Sequence, residues 1–335
     1  MSDDTQPLLQ VEQVRKLFPL KTAGSLVPFR AGRRTPLLHA VDGVDLSIGR
    51  GESVGLVGES GCGKSTLVRL ITRTLDPTEG SIRFRGDDIG GIPASRFARV
   101  PQRKLIQMVF QDPTDSLNPR YTAWDTIAEP LRLLGNLSGA ALSDRIETIA
   151  ALVQMPRELL GRFPHQLSGG QKARVGIARA VALEPSLLIL DEPTAALDVS
   201  VQAVILHLLA DLREKLGMSY LFVSHDLNIV RLLCDRVMVM YLGRIVESGP
   251  ARQVFEAPRH PYTRALLSAI PGLGGEASRR IRLEGDPTSP VDPDQGRCRF
   301  HGRCPKGQDA CTRSSPSLVQ MAPGHTVACH FPEPG

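Results

Sequence analysis

The sequence contains no long hydrophobic run, and this absence limits what the chain can be. Its purely apolar runs are short, as at Leu187–Leu190, whereas a membrane-spanning helix needs roughly 18 or more apolar residues. The first ten residues include Asp3 and Asp4 and no apolar core, which is not the pattern of a secretory signal peptide. We therefore expect a protein that is soluble or that reaches a membrane through a partner.

Cysteine is also scarce until the end of the chain. Cys62 and Cys234 stand alone, and the other four cysteines all follow residue 297. Because no secretion signal is recognised, we expect a reducing compartment, in which metal ligation by such a cluster competes well with disulfides.

No strong excess of one charge is present either. Lys and Arg number 40 against 35 Asp and Glu, a net charge of +5 over 335 residues. This charge is compatible with contact to anionic lipid or nucleic acid, but it demonstrates neither. The length is enough for one main domain with an appendage.

One glycine-rich stretch organises the chain. It fits G-x-x-x-x-G-K-[ST], a loop that binds phosphates, and consists of Gly58, Glu59, Ser60, Gly61, Cys62, Gly63, Lys64, Ser65 and Thr66. The apolar residues 53–57 before it predict a strand, and helical spacing of apolar residues follows it. Glycines let successive N–H groups and the helix dipole face an anion. We expect Lys64 to reach the β- and γ-phosphates and the Ser65 hydroxyl to face Mg²⁺.

A second helix start follows Leu167. Ser168 and Gln171 have S-x-x-Q spacing ahead of an apolar helical pattern, which predicts a capping box. Because helix N-termini bind anions, this stretch, with Gly169 and Gly170, is a second candidate for a phosphate-facing surface. An ordinary helix cap explains the same residues.

Two strand ends carry further candidate residues. Leu187–Leu190 predicts a buried strand that ends at Asp191 and Glu192. Beside a phosphate loop, Asp191 suits the Mg²⁺ shell, and Glu192 suits orienting or deprotonating an attacking water. The strand 220–223 ends near His225, at the edge where open α/β sheets bind ligands.

Strands and helices alternate from residue 8 to about 250, which favours a mostly parallel α/β sheet. Between residues 124 and 160 the pattern is helical, which predicts a helical insert. Val237–Tyr241 and Arg244–Glu247 predict a hairpin. Residues 19–36 predict a loop insertion, and residues 272–293 predict a linker that contains Arg279, Arg280 and Arg282.

Together these motifs resemble those of the ATP-binding subunits of ATP-binding cassette (ABC) transporters, over roughly residues 8–270. The resemblance implies a P-loop ATPase with an α/β fold, a helical subdomain and a small Cys-rich C-terminal extension. It implies an ATPase domain over residues 8–255, with its helical insert at about 112–165, and an extension over residues 256–335. It also assigns Gln111 to a loop that contacts nucleotide, Mg²⁺ and the membrane subunits, Asp198 to a loop beside the site, and Phe18 to stacking on adenine.

The resemblance implies a mechanism and a set of partners. Two ATPase subunits pair head to tail, and each ATP lies between one P-loop and Ser168, Gly169 and Gly170 of the other subunit. A paralogue is favoured as the second subunit, and an identical copy stays open. Two membrane-spanning permeases and an extracytoplasmic solute-binding protein complete the complex, which places this chain peripherally at the cytoplasmic face of a bacterial membrane.

A narrower resemblance, to bacterial peptide importers, is carried by residues 110–120 and by the run His260 to Leu267. It implies uptake of di- or oligopeptides. Importers of nickel, glutathione or other small solutes remain open as alternatives.

ABC-type ATPases that act on DNA or ribosomes form a different class. They typically carry a coiled-coil arm, zinc modules or two cassettes, whereas this sequence has one cassette and no sustained heptads. We therefore expect no nucleic-acid partner.

The four late cysteines are Cys298, Cys304, Cys311 and Cys329. A segment this small with few core-forming residues is expected to need a staple. The spacings match neither common zinc nor common ferredoxin patterns, so the residues alone leave zinc and an iron–sulfur centre open. The resemblance implies a structural [4Fe-4S] cluster, and nearby His301, His325 and His330 keep zinc as an alternative. Unligated cysteines are the third possibility.

Overall fold

The computed structural model describes residues 6–20, 35–270 and 281–334. Most of the predicted loop insertion at residues 19–36, and Arg279 and Arg280 of the predicted linker, lie outside these residues. The strands are β1 (Leu9–Pro19), β2 (Leu37–Ile48), β3 (Ser53–Val57), β4 (Glu79–Phe84), β5 (Asp87–Asp88), β6 (Ile106–Val109), β7 (Leu187–Asp191), β8 (Ser219–Val223), β9 (Arg236–Tyr241), β10 (Arg244–Pro250), β11 (Val319–Ala322) and β12 (His325–Val327).

The α-helices connect these strands. They are α1 (Lys64–Ile71), α2 (Ala94–Phe97), α3 (Ala123–Leu133), α4 (Gly139–Leu152), α5 (Gly169–Val181), α6 (Val199–Leu216), α7 (Leu227–Leu233), α8 (Ala251–Glu256), α9 (Pro261–Ser268) and α10 (Asp309–Arg313). Within the three described ranges, no helix combines the length and the apolar character needed to cross a membrane.

The strands form a large sheet and a small one. The large sheet has the order β11-β12-β10-β9-β3-β8-β7-β6. Its middle, from β9 to β6, is parallel, as the alternation of strands and helices predicts. The hairpin of β9 and β10 is also confirmed, and β12 and β11 extend it as antiparallel strands. Parallel strands buried on both faces carry near-continuous apolar runs, which explains why this part of the fold is visible in the sequence.

The small sheet, with the order β2-β1-β4-β5, is antiparallel and was not predicted as a separate sheet. β1 runs to Pro19 through an irregularity at Gln13, which takes a positive φ of 46° where the register with β2 shifts. Such an irregularity breaks the alternation of side chains that marks a strand in sequence.

Two apolar cores lie on the two faces of the large sheet. Leu187 and Ile189 of β7 pack with residues of α1 and the small sheet, while Leu188 and Leu190 face the core formed with α3 to α6. Alternate residues of a strand point to opposite faces, so this one buried strand serves both cores. At its end the chain emerges with Asp191 at the edge of the sheet.

The C-terminal segment, residues 281–334, is joined to the rest by backbone pairing. β12 pairs with β10 in the large sheet. Val291 bridges Leu38 at the edge of β2, where the His39 N–H donates to the Pro290 carbonyl and the Asp292 N–H to the Leu37 carbonyl, both at 2.9 Å. Residues 290–292 of the predicted linker are therefore attached to the small sheet.

A fully buried carboxylate also holds this segment in place. Glu247 of β10 accepts hydrogen bonds from the backbone N–H groups of Arg259 and His260, at 2.7 and 2.9 Å, and contacts Nε2 of His325 at 2.8 Å. His260 is buried too, and its Nδ1 accepts from the N–H of Tyr262 at the start of α9. Burial lowers the pKa of His260 to about 4, although Glu247 opposes this shift.

We predict that His260 makes the folded state less stable in acid. A histidine in an unfolded chain has a pKa of about 6.5, so as the pH falls the unfolded state takes up its proton first. The free energy of unfolding should therefore fall between pH 6.5 and 4, by roughly 3 kcal/mol if His260 acts alone.

The variant His260→Asn tests this, because asparagine can accept the same cap hydrogen bond and does not titrate in this range. Urea denaturation should give the variant a flatter dependence of unfolding free energy on pH, even if it is less stable at pH 7. Parallel pH profiles for the variant and the parent protein would show that another group is responsible.

Candidate functional site

The glycine-rich loop lies between β3 and α1, as the sequence predicts. Gly58 and Gly63 have φ angles of 153° and 112°. A Cβ atom on Gly58 would lie 2.2 Å from the Met240 carbonyl oxygen, and one on Gly63 would lie 2.2 Å from that of Ala40. Only glycine satisfies both the dihedral angles and the space, so the motif reflects close approach of three backbone segments.

Lys64 is the first residue of α1 and is 7% exposed. Its Nζ donates to the carbonyl oxygens of Gly58 and Glu59, at 2.7 and 3.0 Å. The ammonium group therefore spans the loop and adds its charge to the positive end of the α1 dipole. A nucleotide phosphate is the kind of anion that such a helix start binds.

The loop opens into a cavity of about 590 Å³. Several predicted site residues that are distant in sequence line it together: Phe18, Ser60, Gly61, Cys62, Gly63, Lys64, Ser65, Thr66, Gln111, Glu192 and His225. Phe18 lies at one wall, where the Lys16 ammonium is 5.2 Å from its ring centroid.

The carboxylate of Glu192 connects two other predicted residues. It accepts a hydrogen bond from Nε2 of Gln111 at 3.0 Å, and its other oxygen lies 3.1 Å from Nδ1 of His225. Glu192 has a φ of 48°, a left-handed conformation that costs of order 1 kcal/mol or more outside glycine. Strain of this kind persists only where the surrounding structure fixes the conformation, and it is common at active sites.

Asp191 lies on the other side of the same strand end. With Ser65 and Gln111 it lines an adjoining cavity of about 1040 Å³. Burial and the neighbouring Glu192 carboxylate raise the pKa of Asp191 above its ordinary value, while Lys64 and Arg69 oppose the shift. Two adjacent carboxylates at the end of a strand form a local negative charge that a cation would stabilise.

The predicted residues after Leu167 lie elsewhere. Ser168 caps α5 with the predicted capping box: its Oγ accepts from the Gln171 N–H at 3.3 Å, and its own N–H donates to Gln171 Oε1 at 2.9 Å. Neither Ser168, Gly169, Gly170 nor Gln171 lines the cavity of Lys64. Asp198, the cap residue of α6, is also outside that lining.

The sequence motifs do not indicate six further cavity residues, which are Leu38, His39, Ala40, Leu242, Gly243 and Pro290. They reach the site only because β2, residues 290–292 and the β9–β10 turn converge on the loop. A hydrogen bond from the Gly243 N–H to the Cys62 carbonyl, at 2.7 Å, fixes part of this convergence. No local pattern marks such residues, since their role comes from contacts between distant segments.

The metal prediction for the late cysteines needs correction. Among residues 6–20, 35–270 and 281–334, no group of three or more His, Cys, Asp and Glu side chains is arranged to hold a metal ion. Cys298, Cys304, Cys311 and Cys329 are all free thiols. The prediction of a [4Fe-4S] cluster, or of zinc in its place, is therefore wrong.

Comparison with protein families gives two matches. Residues 41–195 match the ABC transporter family, and residues 246–311 match the family described as oligopeptide/dipeptide transporter, C-terminal region. The first range contains the phosphate loop, Gln111, the capping box of α5 and Asp191. The second contains most of β10, all of α9 and three of the late cysteines.

Curated relatives cover nearly the whole chain. It is 43% identical to the oligopeptide transport ATP-binding protein AppF of Bacillus subtilis, over 97% of this chain and 98% of the relative. It is 44% identical to the dipeptide transport ATP-binding protein DppF of Escherichia coli, over 97% and 94% of the two chains.

Solved structures agree with the fold. The dimeric post-hydrolysis state of the ATP-binding cassette MJ0796, bound to ADP and Pi, aligns with a TM-score of 0.63 at 29% identity, covering 73% of this chain and 99% of that one. CbiO1 from Clostridium perfringens, part of the ABC transporter complex cbiONQ, gives a TM-score of 0.61 at 31% identity, covering 75% and 91%. With its glycine-rich loop and strand-end carboxylates in an α/β fold, this chain is an ATPase, and it belongs to the ATP-binding subunits of ABC transporters, in the oligopeptide/dipeptide group.

Proposed function

We propose that this chain is the ATP-hydrolysing subunit of a bacterial importer that takes up di- and oligopeptides. The observation that carries the proposal is the match over residues 246–311, because this region narrows the large ABC class to the oligopeptide/dipeptide group. Relatives named as peptide import or peptide transport ATP-binding proteins are 43–46% identical to this chain.

The proposed complex contains more than this chain. Residues 8–255 are the ATPase domain, with the helical insert at about 112–165, and residues 256–335 are a C-terminal extension. A second ATPase subunit, two membrane-spanning permeases and an extracytoplasmic solute-binding protein are the partners. The chain would then be held peripherally at the cytoplasmic face of the cell membrane through the permeases.

ATP binding rests on the loop and the helix that follows it. The backbone N–H groups of residues 60–65 and the start of α1 offer donors and a positive dipole to the phosphates. Lys64 exchanges its two carbonyl partners for the β- and γ-phosphates, and Phe18 stacks on the adenine. Ser65, Gln111 and Asp191 border one cavity and provide the oxygen donors that Mg²⁺ prefers. The ion would neutralise part of the negative charge of the phosphates.

Glu192 acts on the water that attacks the γ-phosphate. Its carboxylate accepts the proton of that water or orients the water, and Gln111 and His225, both in contact with Glu192, set its direction. His225 would also donate a hydrogen bond to the γ-phosphate.

Each site needs a second subunit. Ser168, Gly169 and Gly170 at the start of α5 face the nucleotide of the partner, and Asp198 lies beside the contact. ATP holds the two subunits together, and hydrolysis releases them. Closing and opening would rock the permeases between outward and inward access.

Lys64→Ala should abolish ATP-driven peptide uptake, because Lys64 is the only cationic side chain of residues 58–66. The measurement is uptake of a labelled peptide by the complete complex in liposomes, with nickel and glutathione offered in parallel. Lys215→Ala, an exposed lysine at the end of α6, is the matched control. Normal uptake by the Lys64 variant would refute the role of the loop, and uptake of nickel or glutathione instead of peptide would refute the cargo.

Glu192→Gln should bind ATP and lose hydrolysis by roughly 10²- to 10⁴-fold, as expected for a positioned general base. Glutamine keeps the size of the side chain, so the left-handed backbone at this residue is not disturbed further. Filter binding of labelled ATP and phosphate release separate the two effects. A normal rate of phosphate release would mean that the base lies elsewhere.

The isolated chain should hydrolyse ATP slowly, and the complete complex much faster, since Ser168 and its neighbours lie outside the cavity that contains their own Lys64. Light scattering identifies the monomer, and phosphate release measures its rate. A monomer as fast as the complex would contradict the shared site.

A further inference from the structure

The C-terminal part of the chain contacts the phosphate loop at one residue, Glu59. The Glu59 N–H donates to the hydroxyl of Tyr262 in α9, at 2.9 Å. The Glu59 carboxylate forms a two-point ion pair with Arg303, whose NH1 and NH2 lie 2.8 and 3.1 Å from the two carboxylate oxygens. Tyr262 and Arg303, which are about forty residues apart in the sequence, therefore both contact the same residue of the loop.

The two contacts are rigidly supported. Tyr262 is fully buried, and its ring packs against Tyr241 and Phe300 with centroid distances of 4.7 and 5.5 Å. The Arg303 side chain is only 9% exposed, and its guanidinium lies 5.9 Å from the centroid of the Tyr241 ring. A planar guanidinium held in this way loses little freedom when it pairs with a carboxylate.

The backbone of Glu59 connects these contacts to Lys64. Its carbonyl oxygen accepts from Lys64 Nζ at 3.0 Å and from the Cys62 N–H at 3.2 Å. The N–H, the carbonyl and the side chain of Glu59 are thus all engaged. Tyr262 and Arg303 therefore hold Glu59, and the Glu59 carbonyl in turn holds the Lys64 ammonium group.

The charge of Glu59 gives the ion pair a second consequence. Glu59 is the only carboxylate among residues 58–66, a stretch whose task is to hold a polyanion. An unpaired carboxylate there would repel the phosphates, and the effect is large enough to matter over several ångströms. Arg303 cancels this charge from outside the residues 41–195 that match the ABC transporter family.

We propose that Arg303 and Tyr262 are positioning residues of the ATP site: Arg303 neutralises the Glu59 carboxylate, and Tyr262 holds the first turn of the phosphate loop through the Glu59 N–H, so that α9 and the C-terminal segment together set the affinity for ATP. This inference rests on the proposed role of residues 58–66 in binding the phosphates of ATP. It gives the C-terminal segment a part in nucleotide binding, because the loop motif contains no group that neutralises Glu59 in this way.

The charge part is tested with Arg303→Ala in the complete complex. The KM for ATP should rise about three- to tenfold while kcat changes little, because Arg303 does not touch the reacting atoms. The loss should be greater for binding of ATP than of ADP, which carries less charge. Arg264→Ala is the matched control, since it removes an arginine–carboxylate pair with Glu333 away from the loop. Equal KM values for the two variants would overturn the proposal.

A second substitution separates charge from structure. The double variant Glu59→Gln with Arg303→Ala should recover most of the ATP affinity that Arg303→Ala loses, because the unpaired carboxylate is gone. Should Arg303→Ala fail to fold, Glu59→Gln alone still decides: it leaves Arg303 as an unpaired cation beside the loop and should bind ATP more tightly. Weaker binding by Glu59→Gln, or no recovery in the double variant, would overturn neutralisation as the mechanism.

The contribution of Tyr262 is tested by Tyr262→Phe, which leaves the Glu59 N–H without its acceptor. Tyr220→Phe is the control, since Tyr220 is an equally buried tyrosine whose hydroxyl donates to the Leu209 carbonyl at 2.8 Å, outside the cavity. Only Tyr262→Phe should raise the KM for ATP, although both variants lose one buried hydrogen bond. Equal KM values would overturn the role of Tyr262.

Lys64→Ala belongs in the same series, so that the two levels of the hypothesis fail separately. If Lys64→Ala binds ATP normally, the proposed function of the loop is wrong. If Lys64→Ala loses binding while Arg303→Ala behaves as Arg264→Ala does, the loop assignment stands and the role of the C-terminal segment is wrong.

Discussion

The backbone of residues 58–63 passes so close to two other segments that side chains are excluded at both ends. The obstructing carbonyls belong to Ala40 in β2 and Met240 in β9. β2 belongs to the small sheet and β9 to the large one, so the loop is shaped by the way the two sheets pack. The apolar core between the sheets therefore does more than stabilise the fold. It fixes the position and direction of Lys64 and of the start of α1.

Much of this arrangement could be predicted from local patterns. The buried strands 53–57, 187–191 and 219–223 carry continuous apolar runs, and the capping box of α5 is a short, specific signal. What could not be predicted depends on distant contacts. The bulge at Gln13 hides the length of β1, and the alternation of apolar residues in β2 does not show which sheet that strand joins. The positive φ of Glu192 is imposed by its surroundings, since glutamate does not favour that conformation.

The cysteine prediction failed for a related reason. A count of thiols and their spacings says nothing about how the side chains are directed, and a small segment does not need a metal if it has other attachments. Here β12 joins the large sheet, Phe300 is buried among aromatic rings, and His325 contacts the buried Glu247. These interactions supply the order that a metal staple was expected to provide. Cys298 and Cys304 instead pack against the core, and the Cys298 N–H donates to the Cys311 carbonyl at 2.9 Å.

The short pairing of residues 290–292 with β2 has a consequence for solubility. β2 is the outer strand of the small sheet, and an uncovered outer strand offers its N–H groups and carbonyls to other chains. Residues 290–292 occupy the N–H groups of Leu37 and His39. Pro290 has no N–H of its own to pass the pairing on. Loss of this cover would expose the edge of β2 beside the nucleotide cavity and would favour aggregation by edge-to-edge pairing.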